Sequence, residues 1–131
     1  MIPMKTLIIN GENFSDLQGF YEEINRVFTK DLAWETGHNF DALNDILYGG
    51  FGVFEEEPII LTWKNISKSK TDLGLNATKT YYENRISANG INTEHFRNKL
   101  DELKNNNGQT LFDIIVEIIN RHNQIKFQQE N

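Results

Sequence analysis

Asp41 and Asp45 stand one helical turn apart in the segment TGHNFDALNDILYGGFG, residues 36–52, and His38 precedes the first of them by three positions. Two carboxylates so placed can act as a general acid and base pair. Together with His38, at i, i+3 and i+7, they could hold a divalent metal. Both chemistries want more than the segment supplies. No Ser, Cys or Lys nearby offers a nucleophile, one histidine without a second cluster is a thin ligand set, and an exposed helix face desolvates neither acid. The ordinary reading of such a pair is a solvated face. Like charges at i, i+4 cost an isolated helix only about 0.2–0.5 kcal/mol, part of which Asp41 recovers near the positive end of the helix dipole. Neither a metal nor another cofactor is expected. The glycines of GGFG do not make a phosphate loop either, because no GK[ST] follows and the surrounding charge is negative.

The elements that must carry these residues follow from periodicity. KTLII, Lys5 to Ile9, reads as a buried strand closed by the turn Asn10-Gly11. Ser15 with Gln18 has the pattern of a capping box, opening a helix to about Lys30 whose apolar stripe is Leu17, Phe20, Tyr21, Ile24, Val27 and Phe28. Asn39 caps a short helix with Phe40, Leu43 and Leu47 on one face, and with Asp41, Asn44, Asp45 and Tyr48 on the other. Gly49 and Gly50 end it. PIILTW, Pro58 to Trp63, is a second strand, with proline at its tolerated first position and Trp63 in the core.

Residues 64–108 are polar and rich in asparagine. Asn65 begins a short helix through Lys70, and Asn92 caps another with Phe96, Leu100 and Leu103 on one face, ended by Asn106-Asn107-Gly108; the span from Leu73 to Gly90 shows no assignable pattern. Thr110 opens a deeply buried helix in which Leu111, Phe112, Ile114, Ile115, Ile118 and Ile119 cover a broad arc. A last strand runs from Ile125 to Phe127. Strands separated by helical crossovers imply a parallel sheet, so the expected fold is a two-layer α/β domain with helices on one side. His95 and His122 read as structural or surface residues.

At 131 residues the chain fits one domain, residues 1–131. It has no cysteine, which excludes disulfide frameworks and thiolate chemistry and fits a reducing compartment. The start MIPMKTLIINGENF has neither a signal-peptide apolar region nor a membrane span, so a cytoplasmic location is expected. The net charge is −6, and between Lys30 and Lys64 seven acids stand without a single Lys or Arg, exceeding that total alone. An acidic surface concentrated in this way repels nucleic acid and steers a basic partner. Phe51, Phe54, Trp34 and Tyr48 each read singly as core, and together, where exposed beside the acids, they would suit an interface that needs apolar anchors.

The sequence IINGE at the end of the first strand, GHNFDALNDIL and then PIILTW, at these intervals, resembles the barstar family of barnase inhibitors. The similarity spans about Lys5 to Ser69 and resumes from about Thr110 to Phe127. It implies a three-stranded parallel sheet covered by helices, here with a helical insertion at about 71–108, before the last helix. It also implies a non-enzymatic inhibitor, immunity-type in role, that binds a secreted or toxin-type ribonuclease one-to-one, occludes its active site with an acidic helix, and is a monomer when free. Asp41 and Asp45 match the family's two aspartates, Gly37 its loop glycine and Asn39 the asparagine before the helix; Asp45 is the first choice for a carboxylate that mimics substrate phosphate. Glu117, on the last helix, matches a further acidic contact. Where the family's best-known member has aromatics, this chain has Glu35, Thr36 and Asn44. His38 replaces an acid, and the aromatic after the helix becomes Gly50 or moves to Phe51 in a lengthened loop. The partner-binding set implied is Glu35, Thr36, Gly37, His38, Asn39, Asp41, Asn44, Asp45, Tyr48, Phe51 and Glu117. The same fold could instead serve as an interaction module for a partner that is not a nuclease, with no direct contact to nucleic acid or membrane in either case.

Overall fold

Strand β1, Lys5–Asn10, alternates in burial so that Leu7 and Ile9 face inward while Thr6 and Ile8 face out. This is the period-two signature of a strand with one covered face. The computed structural model describes residues 5–29, 36–48, 58–89 and 93–131. In it β1 pairs in parallel with β2, Ile59–Lys64, and β2 pairs in parallel with β3, Ile125–Gln129, giving the order β1-β2-β3. The register sets Leu7 against Leu61 and Ile9 against Trp63, and on the other side Ile59 against Ile125 and Leu61 against Phe127. The apolar rows therefore line up on one face. Helices cover that face, in the expected two-layer α/β arrangement.

Helix α1, Leu17–Phe28, buries Phe20, Tyr21, Ile24, Val27 and Phe28 as its stripe requires. Its cap is one residue later than expected. The cap is Asp16, not Ser15: its backbone is extended and its Oδ1 accepts from the Gly19 N–H at 2.7 Å. Gln18 is thereby freed from a capping role and reaches His38 instead. The helix ends at Phe28, with the Thr29 N–H and hydroxyl both on the Asn25 carbonyl at 2.9 Å; Lys30 lies outside the described residues.

Helix α2, Phe40–Tyr48, buries Leu43, Ile46 and Leu47. After β2 come α3, Ile66–Asp72, and α4, Leu75–Asn89, separated by the buried Leu73-Gly74. Helix α4 occupies the span in which the sequence shows no pattern. It lacks an amphipathic period, and beside Ala77 and Tyr81 a polar residue faces the core: Thr78, fully buried, donates to the Gly74 carbonyl at 2.7 Å and accepts from the Leu111 N–H at 2.8 Å. That second bond fastens α4 to the first turn of α6, Leu111–Asn120. Helix α5, Thr93–Lys104, packs on α4 with Leu103 buried; the expected cap Asn92 lies outside the described residues. Thr110 caps α6 in a full capping box, although its partner is Asp113.

The three-stranded core closes around Trp63. Its ring stacks on Phe20 at 5.5 Å, and its Nε1–H donates to Ser69 Oγ at 2.9 Å. Gly11 allows this approach, since a Cβ there would strike Ser69 Oγ and come within 2.7 Å of the Asn65 carbonyl. Strand β3 extends past Phe127 because the chain continues to pair: the Glu130 N–H donates to the Trp63 carbonyl and the Ile66 N–H to the Glu130 carbonyl, each at 2.9 Å. Among the described residues no helix is long and apolar enough to cross a membrane.

Candidate functional site: the acidic helix

Helix α2 is placed by three sets of hydrogen bonds, one at each end and one at its middle. At the entry, Asn25 on α1 grips the backbone of Thr36. Its Oδ1 accepts from the Thr36 N–H at 2.7 Å, and its Nδ2 donates to the Thr36 carbonyl at 3.2 Å. Thr36 is itself only 9% exposed, and its hydroxyl donates to the Ala42 carbonyl at 3.3 Å. Asn39 then caps the helix as its position foretold, with Oδ1 accepting from the Ala42 N–H at 2.7 Å. At the middle, His122 Nε2 lies 2.8 Å from Asn44 Oδ1, and at the exit Gln124 donates to the Leu47 carbonyl at 2.9 Å. Both partners come from the turn that links α6 to β3.

This framework sorts the residues expected at the site. Asp41 and Asp45 are exposed on the outer face of α2, and neither takes part in an ion pair among the described residues. Tyr48 is 59% exposed on the same face, its ring edge-on to His122 at 4.6 Å. Gly37 and His38 are exposed in the loop before the helix. The His38 ring stacks on Tyr21 at 5.5 Å, with Nδ1 3.1 Å from Gln18 Oε1. Thr36, Asn39 and Asn44 are engaged in holding the helix, so their polar groups serve position. Glu35, Phe51 and the glycines after Tyr48 lie outside the described residues.

Glu117 sits on α6, beside α2, with its carboxylate already occupied. Gln109 Nε2 donates to it at 2.7 Å and Arg121 at 3.0 Å, and these bonds hold its carboxyl below the usual carboxylate range. It therefore offers less uncompensated charge than either aspartate.

Sequence reasoning passed over the residues that position the helix. Asn25 and Glu23 stand among the buried residues of α1, and a polar break in an apolar stripe is the signal that marks them. His122, 4% exposed, is held below its ordinary pKa by burial and then by the neighbouring Arg121 charge. No signal in its local sequence announces Asn44, 78 residues away, as its partner.

Among the described residues no three of His, Asp and Glu gather to hold a metal. What the geometry does provide is a helix carrying unbalanced negative charge, clamped at both ends on a sheet-backed scaffold. The family model of barstar (barnase inhibitor) matches residues 4–83, from β1 into α4, and the chain belongs to this family, whose members are inhibitors and not enzymes. Comparison with individually curated proteins finds no match.

Proposed function

We propose that the chain binds a basic ribonuclease or nuclease toxin one-to-one and closes its active site with the outer face of α2. The observation that carries this reading is the exposure of Asp41 and Asp45 without a counter-charge among the described residues. A nuclease cleft that holds a polyanion presents cationic groups to phosphate, and two carboxylates one turn apart on a rigid helix can occupy those positions. Tyr48 adds an aromatic anchor beside them. The cytoplasm suits such a role, since an inhibitor of this kind protects the RNA of its own cell. The reading is tested by titrating barnase with the parent chain and with Asp45→Ala. The parent is expected to inhibit stoichiometrically, and the variant to require a large excess while melting at nearly the parent's temperature. Equal inhibition by both at limiting concentration overturns the assignment of Asp45.

A further inference from the structure

An aromatic path leads away from the acidic helix. Tyr21, stacked on His38, lies 6.4 Å from Phe40 at the start of α2, and Phe40 lies 6.0 Å from Tyr81 on α4. At the end of the path the Arg85 guanidinium sits over the Tyr81 ring, 5.1 Å from its centroid. Arg85 is exposed and has no ion pair among the described residues. Its charge is felt at the Tyr21 hydroxyl on α1: burial and then Tyr81 push that group's pKa up, and Arg85 draws it back. Beside the two exposed carboxylates of α2 the molecule thus presents a charge of opposite sign, a guanidinium held on an aromatic platform.

Other exposed cations, such as Lys64, Lys70 and Arg97, also lack an ion pair among the described residues, but Arg85 is held over an aromatic ring that Phe40 joins to the start of α2. We propose that Arg85, with Tyr81 and His38, forms a second contact on the edge of the inhibitory surface, and that it pairs with a carboxylate on the nuclease beside its cationic cleft. This inference rests on the function proposed above and adds the polarity of the partner: basic opposite α2, acidic opposite α4. Opposed charges at two separated points fix the orientation in which two surfaces dock, because the reversed pose sets like against like. Stacking on Tyr81 preorganises the guanidinium, which lowers the entropy lost when it pairs.

The sign of a charge reversal separates a local pair from overall steering. Arg85→Glu makes the inhibitor more acidic, so a basic partner with no carboxylate opposite Arg85 would bind it as well or faster. Binding of the parent, Arg85→Lys, Arg85→Ala, Arg85→Glu and Asp45→Ala to barnase is measured by surface kinetics at two ionic strengths. The expected result is affinity within about twofold of the parent for Lys, about threefold weaker for Ala and about tenfold weaker for Glu, as an exposed pair and its reversal allow. Unchanged or tighter binding by Arg85→Glu, with Asp45→Ala weakened, overturns this inference and leaves the proposed function standing. Parent and Asp45→Ala binding alike overturns the assignment of Asp45 and this inference with it, and no binding by the parent overturns the proposed function for a barnase-type ribonuclease, with which the inference also falls.

Discussion

His122 Nε2 lies 2.8 Å from Asn44 Oδ1, so the middle of the acidic helix is tied to the turn that leads into the last strand. Asn44 accepts through Oδ1, which makes the imidazole the donor through Nε2–H. The same ring meets Tyr48 edge-on, so one buried histidine supports two positions of the helix while Asp41 and Asp45 point away from it.

Burial, followed by the Arg121 charge, keeps the His122 pKa below its ordinary value. The unfolded chain therefore takes up this proton more readily than the folded one. Stability from this group is complete above about pH 6.5 and is lost as pH falls through the lowered value, with a slope of at most about 1.4 kcal/mol per pH unit for one proton. Urea midpoints measured from pH 7.5 to 5.5 are expected to fall in the parent and to change less in His122→Gln. An identical slope in both would show that His122 does not carry the dependence.

Asn25→Ala removes both bonds to the Thr36 backbone and leaves a buried N–H and carbonyl unpaired. The expected cost is about 2–3 kcal/mol of folding stability, within the range for buried groups left without partners. Function should suffer more than stability explains, because Thr36 leads through His38 into the Asn39 cap. Inhibition assayed well below the melting temperature, where the variant is folded, is expected to weaken; full inhibition there would confine Asn25 to a structural role.

Much of this fold was legible from local pattern. The apolar stripe of α1 and the Asn39 cap are set by near neighbours in sequence, and the structure has them where the spacing put them, whereas the run KTLII reads as a buried strand and buries only Leu7 and Ile9, with Ile8 40% exposed. The capping residue of α1 was misread by one position because Ser15 and Asp16 are both good caps, and only the backbone conformation decides between them. Helix α4 has no legible stripe, since among its core-side residues is the polar Thr78, whose partner Leu111 lies 33 residues away. The exposed acids of the candidate site could be read directly. The residues that aim them, Asn25, His122 and Gln124, act over long sequence separations, and no local rule predicts such pairs.

Glu23 is a second buried polar anchor, 3% exposed, and it closes the turn after β1. Its carboxylate accepts from the Asn10 N–H at 2.8 Å, from Asn13 Nδ2 at 3.0 Å and from Arg26 at 2.7 and 2.9 Å. Burial pushes its pKa up, but the bonds from Arg26, Asn10 and Asn13 outweigh this and leave it lowered. A carboxylate with a depressed pKa stabilises the fold above its unfolded value, about 4.3, and loses that contribution as pH falls further. Glu23→Ala is expected to cost on the order of 2 kcal/mol at pH 7 and to flatten the acid limb of the stability curve below pH 4. Denaturation at pH 7 and pH 3 checks both effects, and equal losses at the two pH values would contradict the assignment.

Asp41 and Asp45 make opposite demands on folding and on binding. Asp45→Asn removes the repulsion at i, i+4 and is expected to raise stability by about 0.2–0.5 kcal/mol. Asp41→Asn removes the same repulsion but also an acid from the first turn of α2, where the helix dipole favours it by about 0.3–1 kcal/mol, so its net effect is near zero or slightly destabilising. Both variants should inhibit a basic nuclease less well than the parent, and their association rates should respond less steeply to salt, since screening over about 8–10 Å acts on fewer charges. Calorimetric melts read beside inhibition titrations test the pair together. A gain in stability with a loss of inhibition at Asp45 is the mark of a charge kept for a partner, whereas a loss of both would mean that the carboxylate serves the fold.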